Sequence, residues 1–112
     1  MLIIRYDAEL YFANVSHFVE SINKEVAKKG DALKLVVIHG GSMAHIDSTA
    51  YQALTDLILD LEKEGIRLIL TNLIGPTRDF LSRAGFDEQF GDKRRYNDIQ
   101  TGIDDFYAQN QA

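Results

Sequence analysis

The sequence contains no cysteine and a single proline among its 112 residues. Without cysteine there is neither a disulfide framework nor thiolate chemistry, and such a chain fits a reducing cytoplasm. No apolar run approaches the roughly 20 residues that a membrane-spanning helix needs. The apolar residues 1–4 are followed at once by Arg5 and Asp7, which is too short a stretch for a signal peptide. We therefore predict one folded domain over residues 1–112 with no direct membrane span.

Positive charge is also scarce, because the chain has 12 Lys and Arg residues against 17 Asp and Glu residues, which gives a net charge of -5. A phosphate backbone rewards a basic surface, so this balance argues against nucleic acid as a partner. Two short basic clusters remain, Lys28-Lys29 and Lys93-Arg94-Arg95. Short charge runs usually lie on open faces, so we interpret both clusters as solvated surface.

Several catalytic and cofactor motifs are missing as well. Gly40-Gly41-Ser42 lacks the lysine of a phosphate-binding loop and the G-x-S-x-G pattern of a hydrolase nucleophile, and no G-x-G-x-x-G is present. His39, His45 and Asp47 match no standard zinc spacing. The sequence therefore predicts no catalytic residue, no metal site and no cofactor.

What the sequence does contain is an alternation of apolar strands and amphipathic helices. Strands are predicted at 2–6, 10–12, 35–38 and 66–71, and helices after Asn14, from 48 to 63, from Pro76 to Gly85 and from about Asn97. Phe90 is assigned to a short edge strand. The order β-β-α-β-α-β-α predicts an α/β fold with a single-layer, mostly parallel (mixed) sheet of four to five strands and four helices packed against it.

The most informative segment is the junction between the strand at 35–38 and the helix that starts near Ser48. Asp47, Ser48 and Thr49 place a carboxylate and two hydroxyls where the first backbone N–H groups of a helix lack partners. Such a junction serves as a plain helix cap, as an anion site, or as a place where a phosphate is attached. Either Asp47 or Ser48 is expected to cap the helix.

Three segments in the same order resemble the STAS domain (sulfate transporter and anti-sigma-factor antagonist). Phe12-Ala13-Asn14 followed by Phe18 is similar to the start of the first helix in the cytoplasmic domains of SulP-type anion transporters. The letters IDSTA at 46–50 resemble the family's signature loop, and NLIGPTRDFLSRAGF at 72–86 is similar to a conserved transporter stretch. Antagonists usually have glycine where this chain has Ala50, which favours the transporter branch, and residues 86–96 depart most from the family pattern.

The resemblance implies a non-catalytic regulatory module on the cytoplasmic side of an anion transporter, at the inner face of the plasma membrane. Its expected partner is the transmembrane domain of the same chain or a second copy of itself, and the chain would be an excised domain or a stand-alone relative. The alternative is a free anti-sigma-factor antagonist in which a serine kinase phosphorylates the residue corresponding to Ser48. Nucleotide binding is implied by the resemblance alone.

Two further contact surfaces are predicted from the residues. The helix start at Gly75, Thr77 and Arg78 combines free N–H groups with a guanidinium, which suits an anion or a partner carboxylate. Tyr51 and Leu59, together with Leu57 or Thr55, are expected to form an apolar contact strip on the helix at 48–63.

Overall fold

A computed structural model describes residues 2–5, 14–41, 43, 46–91 and 93–110. Its helices and strands follow one another in an α/β alternation. In chain order they are β1 (Leu2–Arg5), α1 (Val15–Lys29), a 3-10 turn (Gly30–Ala32), β2 (Leu35–His39), α2 (Ser48–Lys63), β3 (Arg67–Thr71), α3 (Gly75–Arg83), α4 (Phe86–Phe90), β4 (Arg95–Tyr96) and α5 (Ile99–Asn110).

The described strands form one parallel sheet in the order β1-β2-β3-β4. Leu2 pairs with Val36, Leu35 with Arg67, and Leu70 with Arg95. The prediction of an α/β fold with four to five strands is therefore confirmed. The strand predicted at 10–12, which would have made the sheet mixed, lies outside the described residues.

Side chains alternate across the two faces of the sheet and build two apolar layers. Val36, Ile38, Leu68 and Leu70 face the larger core, to which α1 and α2 contribute. Leu35, Val37 and Ile69 lie on the opposite face, under α5. Because both faces are covered, the centres of β2 and β3 are continuous apolar runs, at residues 35–38 and 68–70, as in parallel strands buried on both sides.

The long helices follow the predicted periodicity. On α2 the five residues expected to face inward are all buried: Ala50, Leu54, Leu57, Ile58 and Leu61. The helix α1 ends as predicted, with Lys28 and Lys29 in its last turn and Gly30 at a positive φ of 68°. Glycine adopts this conformation without the steric cost of a Cβ, so the helix can stop there.

The segment between Gly85 and Asn97 differs from the prediction. Phe90 belongs to the short helix α4 rather than to an edge strand, and the edge strand is β4. Arg94 is 5% exposed, so the interpretation of Lys93-Arg94-Arg95 as solvated surface is wrong for this residue. The Arg94 guanidinium forms a salt bridge with Glu62 and lies 5.7 Å from the centre of the Phe90 ring.

Candidate functional site

The loop after β2 is held tightly against the end of β3. The Gly40 N–H donates to the Thr71 carbonyl at 2.9 Å, and the Met43 N–H donates back to the Gly40 carbonyl at 3.0 Å. A Cβ on Gly40 would lie 2.5 Å from Cδ2 of Leu73, so only glycine fits without displacing that side chain. Ser42, Ala44 and His45 lie outside the described residues. The turn thus ties the first part of this loop to the end of β3.

Asp47 caps α2, as the sequence predicted for either Asp47 or Ser48. It has an extended backbone, and its Oδ1 accepts the Ala50 N–H at 2.8 Å. The Asp47 carbonyl accepts the first intrahelical hydrogen bond, from the Tyr51 N–H at 2.8 Å. The carboxylate thus satisfies one N–H group of the first turn and places a negative charge at the positive end of the helix dipole.

Ser48 and Thr49 are both exposed on the first turn of α2, whereas Ala50 is fully buried. The two hydroxyl groups are therefore open to an enzyme or a partner. A phosphate on Ser48 would lie beside N–H groups that attract it and beside the Asp47 carboxylate that repels it. A phosphate at this position would change the surface charge around the start of α2 without disturbing the buried core.

Substituting Asp47 by alanine tests the cap. We expect Asp47→Ala to lower the free energy of unfolding by about 1 kcal/mol, because the Ala50 N–H loses its acceptor. The matched control is Ser48→Ala, an exposed neighbour for which a change within about 0.5 kcal/mol is expected. Urea unfolding followed by circular dichroism measures both. Equal stability of the two variants would show that the carboxylate does not stabilise α2.

The start of α3 is joined to the same loop. Thr77 is 2% exposed, and its Oγ1 donates to the Met43 carbonyl at 2.6 Å. Gly75 is half-buried and Arg78 is exposed. Of the three residues predicted as a contact surface, Arg78 therefore presents its side chain outward, while the Thr77 hydroxyl connects α3 to the loop that precedes Ser48.

The apolar strip predicted on α2 is not formed as expected. Leu57 and Thr55 are buried, at 2% and 3% exposure, so neither belongs to the surface. The Tyr51 ring packs edge-on against Phe80 at 5.9 Å between ring centres, and Leu59 stays exposed. The helical period was correct for the inner face, but that face is wider than the sequence pattern indicated.

A cavity of about 670 Å³ opens at the carboxyl ends of β3 and β4, on the side where Arg78 lies. Asn72, which lines it, has a positive φ of 59°, a conformation that asparagine tolerates better than most residues. Arg95 is held there by Asp87, and its Nη1 donates to the Arg78 carbonyl at 3.4 Å. Sequence reasoning gave Asn72 and Asp87 no role in a site, and it placed Arg95 in a basic cluster interpreted as solvated surface. An asparagine directly after a buried strand was the available signal for this cavity.

Tyr51 on α2 and Tyr96, which lines the cavity, both have a raised pKa. Burial raises the pKa of Tyr51, and the carboxylates of Glu88 and Asp87 add to the effect. Burial, with a hydrogen bond to Asp105, raises the pKa of Tyr96 to about 12. A tyrosine hydroxyl is already protonated at physiological pH, and the raised pKa keeps both side chains neutral into more alkaline solution.

Within the described part of the chain, no group of three or more His, Asp or Glu side chains is arranged to hold a metal ion. A search of the same residues finds no helix with the length and apolar character needed to span a membrane.

Comparison with known proteins identifies the family. The model of the STAS domain matches residues 1–102. "Probable sulfate transporter 4.2" of Arabidopsis thaliana is 32% identical over 100 residues, which are 81% of this chain and 15% of that protein. The chain thus spans a small part of the length of this relative.

Solved structures share the fold. The murine anion transporter Slc26a9 matches 96% of this chain with a TM-score of 0.82 and 22% identity, over 18% of its own length. A candidate anti-sigma factor antagonist from Thermotoga maritima matches 93% of this chain and 86% of its own, with a TM-score of 0.79 and 17% identity. The family model covers nearly the whole chain, and the resemblance seen in the sequence is confirmed: the chain belongs to the STAS domain family.

Proposed function

We propose that this domain is a non-catalytic regulatory and interaction module of a SulP-type transporter for sulfate or a related anion. It lies on the cytoplasmic side, at the inner face of the plasma membrane, and its partner is the transmembrane part of the same chain or a second copy of the domain. The observation that carries the proposal is the 32% identity with a sulfate transporter over 81% of this chain.

The contact surface in this proposal consists of the exposed start of α2, with Ser48 and Thr49, and the exposed Arg78 on α3. The hydrogen bond from Thr77 to the Met43 carbonyl, at 2.6 Å, joins α3 to the loop that precedes α2. Because the loop and α3 are connected through a buried contact, a partner that shifts one of them acts on the other. A module of this kind passes a partner's effect on one segment to the other without catalysing a reaction.

Reading the gene through the codon for Met1 is the first test. A continuous frame that encodes several hydrophobic spans, each of roughly 20 residues, supports the proposal. A start codon at Met1 with no membrane segment in the frame would contradict it and favour the alternative below.

The second test measures transport by the complete protein. We expect Arg78→Gln to reduce the initial rate of labelled sulfate uptake several-fold at an unchanged amount of protein in the membrane, because a charged contact to the partner is lost. Arg83→Gln is the matched control, since it removes an exposed arginine at the far end of the same helix. Equal uptake by the two variants would show that the start of α3 contacts nothing that controls transport.

The alternative is a free-standing anti-sigma-factor antagonist that works by partner switching. The exposed hydroxyl of Ser48 on the first turn of α2 favours it, because a kinase can reach that position without unfolding the helix. Phosphorylation would add nearly two negative charges beside the Asp47 carboxylate, and the change in surface potential would displace a partner.

Intact-mass spectrometry tests this alternative. After incubation with a cognate serine kinase, the alternative predicts the mass of one phosphate on the wild-type chain and on Thr49→Ala, and no added mass on Ser48→Ala. Thr49 is the control because it is an equally exposed hydroxyl one residue away. Phosphate on Ser48→Ala, or an unchanged wild-type mass, would remove the support for partner switching through Ser48.

A further inference from the structure

We propose that a groove at the amino-terminal ends of β2 and β3 binds a small organic anion with an apolar body. The groove has a volume of about 870 Å³, and its main side chains are Lys34, Leu35, Glu62, Arg67, Phe106 and Tyr107. We call it the basic–aromatic groove. Its volume lies within the roughly 300–1,000 Å³ typical of small-molecule sites.

Backbone pairing places the chain at Lys34 next to the chain at Arg67, the two residues that bring positive charge to the groove. The Arg67 N–H donates to the Lys34 carbonyl at 3.0 Å, and Leu35 is paired with Arg67 in the parallel register. Leu35 packs on the face of the sheet that α5 covers, and the Arg67 Nη1 donates to Oε1 of Gln109 on α5 at 3.0 Å. The guanidinium is therefore held between the sheet and the last turn of α5.

The charge of this lining is positive, although the whole chain carries a net charge of -5. Glu62 is the one carboxylate in the lining, and its charge is balanced by the buried Arg94. Among the described residues, neither Lys34 nor Arg67 forms a salt bridge with a carboxylate. Lys34 and Arg67 thus supply the groove with two cationic groups that an anionic ligand would contact.

One wall of the groove is aromatic. Tyr107 is 47% exposed, while Phe106 packs against the sheet beneath it, with 5.9 Å between the two ring centres. The buried side chains of Leu35 and Ile66 form the apolar floor. An exposed aromatic ring in the same groove as two cationic side chains offers a surface on which the body of a ligand can stack while its charged end binds the cations.

These features define the chemical class of the ligand. The forked donors of Arg67 suit a carboxylate, sulfonate or phosphate group, because each of these can accept two parallel hydrogen bonds, and Lys34 adds a second point charge. An aromatic or short aliphatic body would lie against Tyr107. The groove contains the end of α2 at Glu62, about 21 Å along the helix from Ser48 at a rise of 1.5 Å per residue. The inference therefore stands independently of the proposed function of the Ser48 surface.

An NMR titration of the ¹⁵N-labelled full chain with naphthalene-2-sulfonate tests the proposal. We expect saturable shifts of the amide signals of Gly65, Arg67, Phe106 and Tyr107, with a dissociation constant of about 1 mM or below. Naphthalene-2-methanol, which has the same rings and no charge, is expected to bind at least about tenfold more weakly, a difference of 1.4 kcal/mol.

Arg67→Gln and Lys34→Gln provide the decisive comparison. Each is expected to raise the dissociation constant of the sulfonate about tenfold or more, and Arg83→Gln on α3 is expected to leave it unchanged. The amide spectrum itself shows that each variant is folded, and Lys34→Gln changes an exposed side chain, which keeps the test valid if Arg67→Gln unfolds. Shifts located elsewhere, no saturation, or equal affinity of Lys34→Gln and Arg83→Gln would overturn the proposal.

Discussion

Phe86→Ala is expected to lower the free energy of unfolding by about 4 kcal/mol. Phe86 begins α4 and has 0% exposure, and its ring centre lies 5.0 Å from that of Phe90. Alanine would leave a large cavity in the main core, of which the Phe86 ring is a part, and α4 would lose the buried side chain that anchors it there. Urea unfolding monitored by circular dichroism gives the value.

Phe86→Leu is the matched control for this prediction. It keeps an apolar side chain of similar reach, so a loss of about 1.5 kcal/mol or less is expected. The comparison separates the loss of volume from the mere change of residue. If the alanine variant were as stable as the leucine variant, Phe86 would not anchor α4.

Glu62→Ala is expected to cost about 2 kcal/mol, which is below the 3–5 kcal/mol typical of breaking a fully buried ion pair. The Arg94 side chain is only 6% exposed, so its charge would be left buried, whereas the Glu62 side chain is 38% exposed and water can reach its end of the pair. The Arg94 Nη1 already has no hydrogen-bond partner among the described residues. Removing Glu62 would leave the guanidinium poorly compensated.

Asp60→Ala controls for the loss of a carboxylate from the same helix. Asp60 is exposed, so its removal should change stability by no more than about 0.5 kcal/mol. The double variant Glu62→Ala with Arg94→Met should recover most of the loss, because an apolar replacement leaves no buried charge. Equal stability of Glu62→Ala and Asp60→Ala would contradict the role given to this pair.

Periodicity and capping chemistry were sufficient to predict much of this fold. The inner face of α2 follows from apolar residues three and four apart, and β2 follows from a continuous apolar run bounded by glycine. Asp47 was one of two residues expected to cap α2, and its carboxylate does so. Each of these features depends on residues close together in the chain, which is why the sequence alone reveals them.

Residues 86–96 could not be predicted in the same way. The helix α4 has five residues, so it is too short to show a helical period. Arg94 resembles a surface charge in the sequence, and it is buried because Glu62 on α2 and Phe90 on α4 lie beside it in space. The link from Thr77 to Met43 was hidden for the same reason, because it joins residues 34 positions apart.

The order of the strands has a consequence for how the domain is made. Each described strand pairs with the strand that comes next in the chain, so no pairing has to wait for a distant segment. During synthesis every completed βα unit can add to the edge of the growing sheet, from the amino terminus onward. The paired residues lie 25 to 34 positions apart in the chain, as Leu70 with Arg95 and Leu2 with Val36 show. A strand order that skipped neighbours would enlarge these separations and the entropy cost of closing them. The helix α5 covers the second face of the sheet, where it packs against Leu35, Val37 and Ile69.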